Sequence, residues 1–220
     1  MNRSKQKIKL LSSFVFRTIF KCGALFCWMF SSLSFATEYQ VDSTHSTIGF
    51  EIGHMMISKV RGNFRDFEVK FDFDSKNPEK STVSALIKTQ SVNTESQKRD
   101  AHLTGDDFFA VKKHPTMMFV STKITHSEGK HYKMTGDFTL LGVKKPVTFD
   151  VEFLGEMNDP WGGHRAGFLA KAKINRKDFG MVWNQEIDKK GLLVGEEVDI
   201  TVNAETLEVA HKEDSSSLKK

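Results

Sequence analysis

From residue 47 to residue 204 the chain repeatedly sets apolar side chains at every second position. A helix cannot use that period; a strand with one buried face requires it. The runs are Ile48-Phe50-Ile52, Phe67-Val69-Phe71-Phe73, Val83-Ala85-Ile87, Met118-Val120-Thr122-Ile124, Tyr132-Met134-Gly136-Phe138-Leu140, Val147-Phe149-Val151-Phe153, Phe168-Ala170-Ala172-Ile174 and Val198-Ile200-Val202-Ala204. They number about nine if the stretch around residues 60–73 counts as two, or one fewer if it is a single bent strand. Between Phe64 and Phe67 the apolar phase slips by one residue, the mark of a bulge or sharp bend. Short turns separate the runs: Gly142 with Lys144-Lys145-Pro146, Ser127-Glu128-Gly129-Lys130, and Asp74-Ser75-Lys76-Asn77-Pro78. Such spacing describes an antiparallel meander with no βαβ rhythm. A meander of roughly eight strands removes its exposed edges only by closing on itself, so the expected fold is all-β, an antiparallel eight-stranded barrel.

One segment departs from the period. Thr94-Glu95-Ser96-Gln97 has the form of a capping box, and the residues to about Leu103 suit a short polar helix. A second turn is expected at Asp106 to Val111, so the helical segment lies around residues 94–111. A further one-turn helix is expected at Arg176 to Phe179, with Gly180 as its stop.

The first 36 residues carry a different message. Six basic residues lie before residue 22, an apolar run spans Cys22 to Phe30, and a small-x-small end follows at Ser34-Phe35-Ala36. This order predicts a secretory signal peptide over 1–36, cleaved after Ala36, with no stable membrane anchor left behind. Both cysteines, Cys22 and Cys27, fall inside it, so the exported product has no disulfide and no thiolate site. Of the 32 basic residues, 26 then remain against 28 acidic ones, a net charge of −2 that removes the case for nucleic-acid binding. The domain is expected over 37–210, and the polar stretch 211–220 reads as a disordered tail.

An eight-stranded barrel is either filled by side chains or roomy enough for one small ligand. Ala85, Gly136, Ala170 and Ala172 stand among bulky residues on the inward period, which leaves room for a ligand or interdigitates in a solid core. Met55, Met56, Met117, Met118 and Met134 add adaptable apolar surface. The chain has no G-x-S-x-G and no phosphate-cradling glycine loop. Its eight histidines lack the i,i+4 or His-x-His spacing of a preformed metal site, so no metal, cofactor or catalytic residue is assigned. Asp106 and Asp107 read as dipole partners at a helix start. Arg99 and His102, beside Lys98 and Asp100, are either exposed ion-pairing residues or a polar lip meeting a head group. Trp161 and Arg165, in the turn DPWGGHRAGF, raise the same choice between capping a barrel end and touching a ligand.

From about Tyr39 to Val209 the chain resembles the YceI-like family of exported bacterial proteins. The matching stretches include YQVDSTHSTIGFEIGHM, VRGNFRDFEVKFDFD, SVNTESQKRDAHLTGDDFF, HPTMMFVST, GDFTLLGVKKPVTFDVEFLG and DPWGGHRAGFLAKAKINRKDFG. The resemblance implies a lipocalin-like barrel in the periplasm that carries a polyisoprenoid, such as a polyprenyl pyrophosphate or quinone, or another long-chain amphiphile. Carried onto this sequence, the pore lining would be Phe50, Ile52, Phe64, Val69, Phe71, Val83, Ala85, Phe138, Val147, Phe149, Phe168 and Ala170. Head-group candidates at the lip would be His54, Arg99, His102, Trp161 and Arg165. Two other functions compete: an enzyme acting on such a lipid through His54, Asp100 or His102, and a surface interaction module with a filled barrel. Homodimerisation is left open. The polar tail and the methionines of IGHMM depart from the family pattern.

Overall fold

The computed structural model describes residues 37–187 and 191–209; the expected signal segment 1–36 and tail 211–220 lie outside the described residues. The strands are β1 (Thr37–Val41), β2 (Thr47–His54), β3 (Ser58–Phe64), β4 (Phe67–Phe73), β5 (Thr82–Lys88), β6 (Val92–Asn93), β7 (Thr116–Glu128), β8 (His131–Leu140), β9 (Val143–Asn158), β10 (His164–Asn175), β11 (Glu186–Ile187), β12 (Gly191–Leu192) and β13 (Val194–Glu208). Among the described residues one α-helix, α1, spans Gln97–Leu103.

Every neighbouring pair in the main sheet is antiparallel. β13 lies beside β10 on one edge, and its other edge takes both β2 and β1. β1 with β2 therefore forms one interrupted strand, and β3 with β4 another, so the sheet is an eight-stranded meander closed on itself. Closure is made along β13, by Tyr39, Gln40 and Val41 of β1 opposite Glu208, Leu207 and Thr206 and by β2 from Thr47 opposite Asn203 to His54 opposite Val194. The break between β3 and β4 falls at Arg65 and Asp66, where the apolar phase slips.

The turns follow from local chemistry. Leu141 and Gly142 both have positive φ (52° and 76°), a two-residue hairpin between β8 and β9. Lys144, Lys145 and Pro146, expected in that turn, are instead in β9, with Pro146 opposite Asp137. The ladder between β9 and β10 ends at Asp150, so Pro146 sits where the strand has a partner on one side only and its missing N–H costs no ladder bond. Asp74 turns the chain after β4 by accepting hydrogen bonds from the backbone N–H of Lys76 and Asn77. The one-turn helix at Arg176–Phe179 ends on Gly180 at φ 84°, as expected.

The capping box is not formed. Ser96 is the N-cap of α1 and makes no side-chain cap bond. Asp100 instead reaches back from within the helix, accepting from the Thr94 backbone N–H at 2.9 Å and its hydroxyl at 2.5 Å. A carboxylate in the first turn faces the positive end of the helix dipole, so it outcompetes a neutral Gln97. The segment after α1 is a series of tight turns burying Phe108, Phe109 and Ala110.

β7 corrects the sequence reading most directly. The inward residues are Met117 and Phe119, at 6 % and 5 % exposure, while Met118 and Val120 face solvent. Register shifts between Ser121 and Lys123, a bulge that brings Ile124 back to the interior. The expected run from Met118 to Ile124 thus joined the outer face of one half-strand to the inner face of the other.

Candidate functional site

The strands enclose a cavity of about 810 Å³, within the range of small-molecule sites. The inward periods of β2, β4, β5 and β10 build most of one side through Phe50, Val69, Ala85 and Ala170. Phe119, Met134, Phe138 and Phe149 come from β7 to β9, and Ile200 and Val202 from β13. Small side chains matter here as space: Ala85 and Ala170 lie on the wall. Gly136 does not, because the Phe119 ring occupies the position a side chain there would take.

Of the twelve positions expected to line the pore, eleven are on the wall. Val147 is the exception; it is 8 % exposed and packed in the core cluster. Its register partner is Gly136, the residue beneath the Phe119 ring, so Phe119 faces the cavity in place of this pair.

The two ends of the cavity differ. Where β1, β4, β9 and β10 meet, Tyr39, Phe71, Phe73, Phe153 and Phe168 pack ring against ring at centroid distances of 5.0 to 6.2 Å. The Tyr39 hydroxyl meets His164 Nδ1 at 3.0 Å. Burial first, then the negative fields of Glu208 and Glu156, push the Tyr39 pKa up to about 12. At the other end the wall takes in Ser96, Lys98, Arg99, His102 and Leu103 from around α1, His54 from the end of β2, and Arg176, Met181 and Trp183 from the segment after β10.

The lip candidates separate accordingly. His54, Arg99 and His102 share the α1 end of the wall. Arg99 is tied back to Thr94, its Nε donating to the hydroxyl and Nη2 to the carbonyl, both at 2.7 Å. His102 Nε2 lies 3.0 Å from Asp107, and its ring stands edge-on to Phe108 and Trp183 at 5.0 and 4.9 Å. Asp106 pairs with Lys113. Trp161 and Arg165 belong to the opposite end and are off the wall: Trp161 is 85 % exposed in the β9–β10 turn. Arg165 points outward because its neighbour Ala166 takes the inward phase of β10. It binds Asp159 through Nε at 2.7 Å, and Asp42 and Glu205 through Nη1 at 3.0 and 2.6 Å.

That ion cluster contains the trio among the described residues whose ligand atoms come close enough for a metal, Asp42, His45 and Glu205. The Arg165 guanidinium already bridges the two carboxylates. Hydrogen bonds from Thr44, His45 and Arg165 hold the Asp42 carboxyl well below the usual range, and the Asp42 carboxylate raises the His45 pKa.

The charged side chains on the wall are all basic: Lys98, Arg99 and Arg176, with His54 and His102 beside them. No Asp or Glu lines it among the described residues. Arg176 is the residue that sequence reasoning missed. It is 1 % exposed, donating from Nε to the Gly195 carbonyl and from Nη1 to the Met181 carbonyl, both at 2.7 Å. In the polar string Asn175-Arg176-Lys177-Asp178 nothing marks it as interior. Trp183 and Met181 were likewise missed, lying in a stretch with no alternation.

Comparison with known proteins places these features in context. A profile of the YceI-like domain matches residues 39–206. A UPF0312 protein of Photorhabdus laumondii is 44 % identical over 151 residues, covering 68 % of this chain and 78 % of its own. The Campylobacter jejuni YceI crystal structure superposes with a TM-score of 0.63 at 35 % identity, over 72 % of this chain and 90 % of that one. A polyisoprenoid-binding domain from Saccharophagus degradans shares the fold at a TM-score of 0.54 and 12 % identity, over 78 % of this chain and 98 % of its own.

Proposed function

Because the chain belongs to the YceI-like family, we propose that it is a binding protein for a long-chain amphiphile, a polyisoprenoid or a lipid of similar length, held inside the barrel. The observation that carries this reading is the cavity of about 810 Å³ with an almost wholly apolar wall. Each chain carbon moved from water onto that wall contributes about 0.8 kcal/mol, so a lipid tail is retained without any reacting group. The Saccharophagus domain that shares the fold is a polyisoprenoid-binding domain; at that identity the likeness speaks for the fold, and the ligand class rests on the cavity.

In this reading the protein is exported, loses residues 1–36 in the process, and carries its lipid across the periplasm. Organic extraction and mass spectrometry of protein purified from its own host should yield a long-chain lipid at close to one per chain. An Ala170→Phe variant, which fills the pore, should remain folded and yield little. A native protein that neither contains a lipid nor takes one up would end the proposal. N-terminal sequencing of the fractionated protein tests export separately, with Thr37 expected as the first residue.

A further inference from the structure

We infer that Arg176 anchors an oxyanionic head group, a phosphate or carboxylate, at the α1 end of the cavity. This rests on the lipid-binding reading above and adds to it a head-group charge and an orientation.

A guanidinium offers five N–H donors in a planar fork. Nε and Nη1 of Arg176 are used on the carbonyls of Gly195 and Met181. Nη2 is buried and has no hydrogen-bond partner, although the side chain is part of the cavity wall. The two carbonyl bonds fix the plane of the fork, so the free edge is held in place before any ligand arrives. Fastening the β10 end to β13 and to the segment that follows β10 would account for Nε and Nη1; it does not account for a third nitrogen buried without an acceptor in a side chain of the cavity wall, where a bare donor on a charged group is costly. Glu196, whose negative field reaches Arg176, is paired with Lys177 at 2.5 Å and forms no hydrogen bond or ion pair with the fork.

The surroundings favour an anion over a neutral acceptor. No carboxylate lines the cavity among the described residues, and Lys98, Arg99, His54 and His102 share its α1 end with Arg176. An entering oxyanion meets only positive or neutral groups. Bonds between an ionised donor and an ionised acceptor are about twice as strong as neutral ones, and a guanidinium matches the oxygens of a phosphate or carboxylate in shape. With the head at Arg176, the tail runs down the apolar wall toward the rings of Phe71, Phe73 and Phe168.

The test compares tails of equal length with different heads. Isothermal titration of the purified protein with geranylgeranyl phosphate against geranylgeraniol, and with palmitate against hexadecanol, should show at least about tenfold tighter binding for one or both anions. The pair that shows it identifies the head group. In Arg176→Gln the preference should collapse toward unity while the alcohol affinities stay near the native values. Arg176→Lys, which keeps a cation but not the fork, should fall between. If Arg176→Gln does not fold, the native ratios together with Arg176→Lys still decide the matter. Equal affinity for alcohol and anion in the native protein would overturn the anchor and leave the lipid-binding function standing, as would a folded Arg176→Gln that keeps the anion preference. Failure of all four compounds to bind would overturn both.

Discussion

Single residues explain why the barrel packs as it does. A Cβ at position 136 would collide with the Phe119 ring and the Val120 carbonyl, both part of the neighbouring strand. Gly136→Ala should therefore destabilise by about 1–3 kcal/mol, the usual cost of overpacking, visible as a lower urea midpoint with an unchanged slope. Tyr39 gives a pH signature. In the unfolded chain its hydroxyl ionises near 10, whereas in the folded barrel the pKa is raised to about 12. Between those values the unfolded state has lost a proton that the folded state keeps, so stability is intact below pH 10 and falls by about 1.4 kcal/mol per unit up to 12. Tyr39→Phe should flatten that limb of a stability profile. It should also cost about 1 kcal/mol at neutral pH through the lost bond to His164.

Among the elements, the hairpin joining β2 to β3 is the least comfortable. Met55 and Met56 have φ of 53° and 63°, and the Ile57 N–H closes the turn onto the His54 carbonyl. Positive φ at both central positions suits Asn-Gly, and methionine pays a steric penalty at each. Met56 and Ile57 are also 80 % and 84 % exposed, so the tip gains little from burial. Replacing Met55-Met56 by Asn-Gly should raise stability by about 1–2 kcal/mol, or several degrees in Tm. The same scale shows why β7 was misread. Alternation locates a strand, but the bulge at Ser121 to Lys123 exchanges its faces midway, and a period of two cannot say which phase is inward on either side of such a break. The helix misled for another reason: Thr94 and Gln97 match a capping box in spacing, yet Asp100 was close enough in space to take the Thr94 donors.

For the molecule as a whole, the cavity makes stability depend on occupancy. A ligand that binds only the folded barrel should raise its stability by about 2.7 kcal/mol at a hundred times its dissociation constant. Delipidated protein should thus melt several degrees lower and recover on adding back the lipid, with the increment lost in Ala170→Phe. Most of the fold was legible because alternation recurs on eight strands around a closed sheet and a single misphased strand does not change the closure. The wall was legible in most of its apolar part and, among its polar groups, at His54, Arg99 and His102. Eleven of the twelve expected positions are on the wall, and all of these but Phe64, which stands at the phase slip, follow from alternation within an unbroken run. Outside the strand runs no period of two operates: Trp161 and Arg165, at a conspicuous turn, lie off the wall at the end opposite His54, Arg99 and His102, and Arg176 was hidden among solvated neighbours.

The sequence by itself determined that this chain makes an antiparallel meander, with strand lengths and turn positions written in local chemistry that acts between residues a few places apart. It also pointed to closure, the one arrangement that removes the edges of such a meander altogether. Tertiary structure decided what closure encloses. Whether a small residue leaves a void depends on the ring across the sheet, which fills the place over Gly136 and leaves Ala170 open. Whether an arginine is surface or interior depends on which carbonyls the fold brings to it: that of Met181 comes from five residues along the chain, but that of Gly195 meets Arg176 only after β10 and β13 have paired.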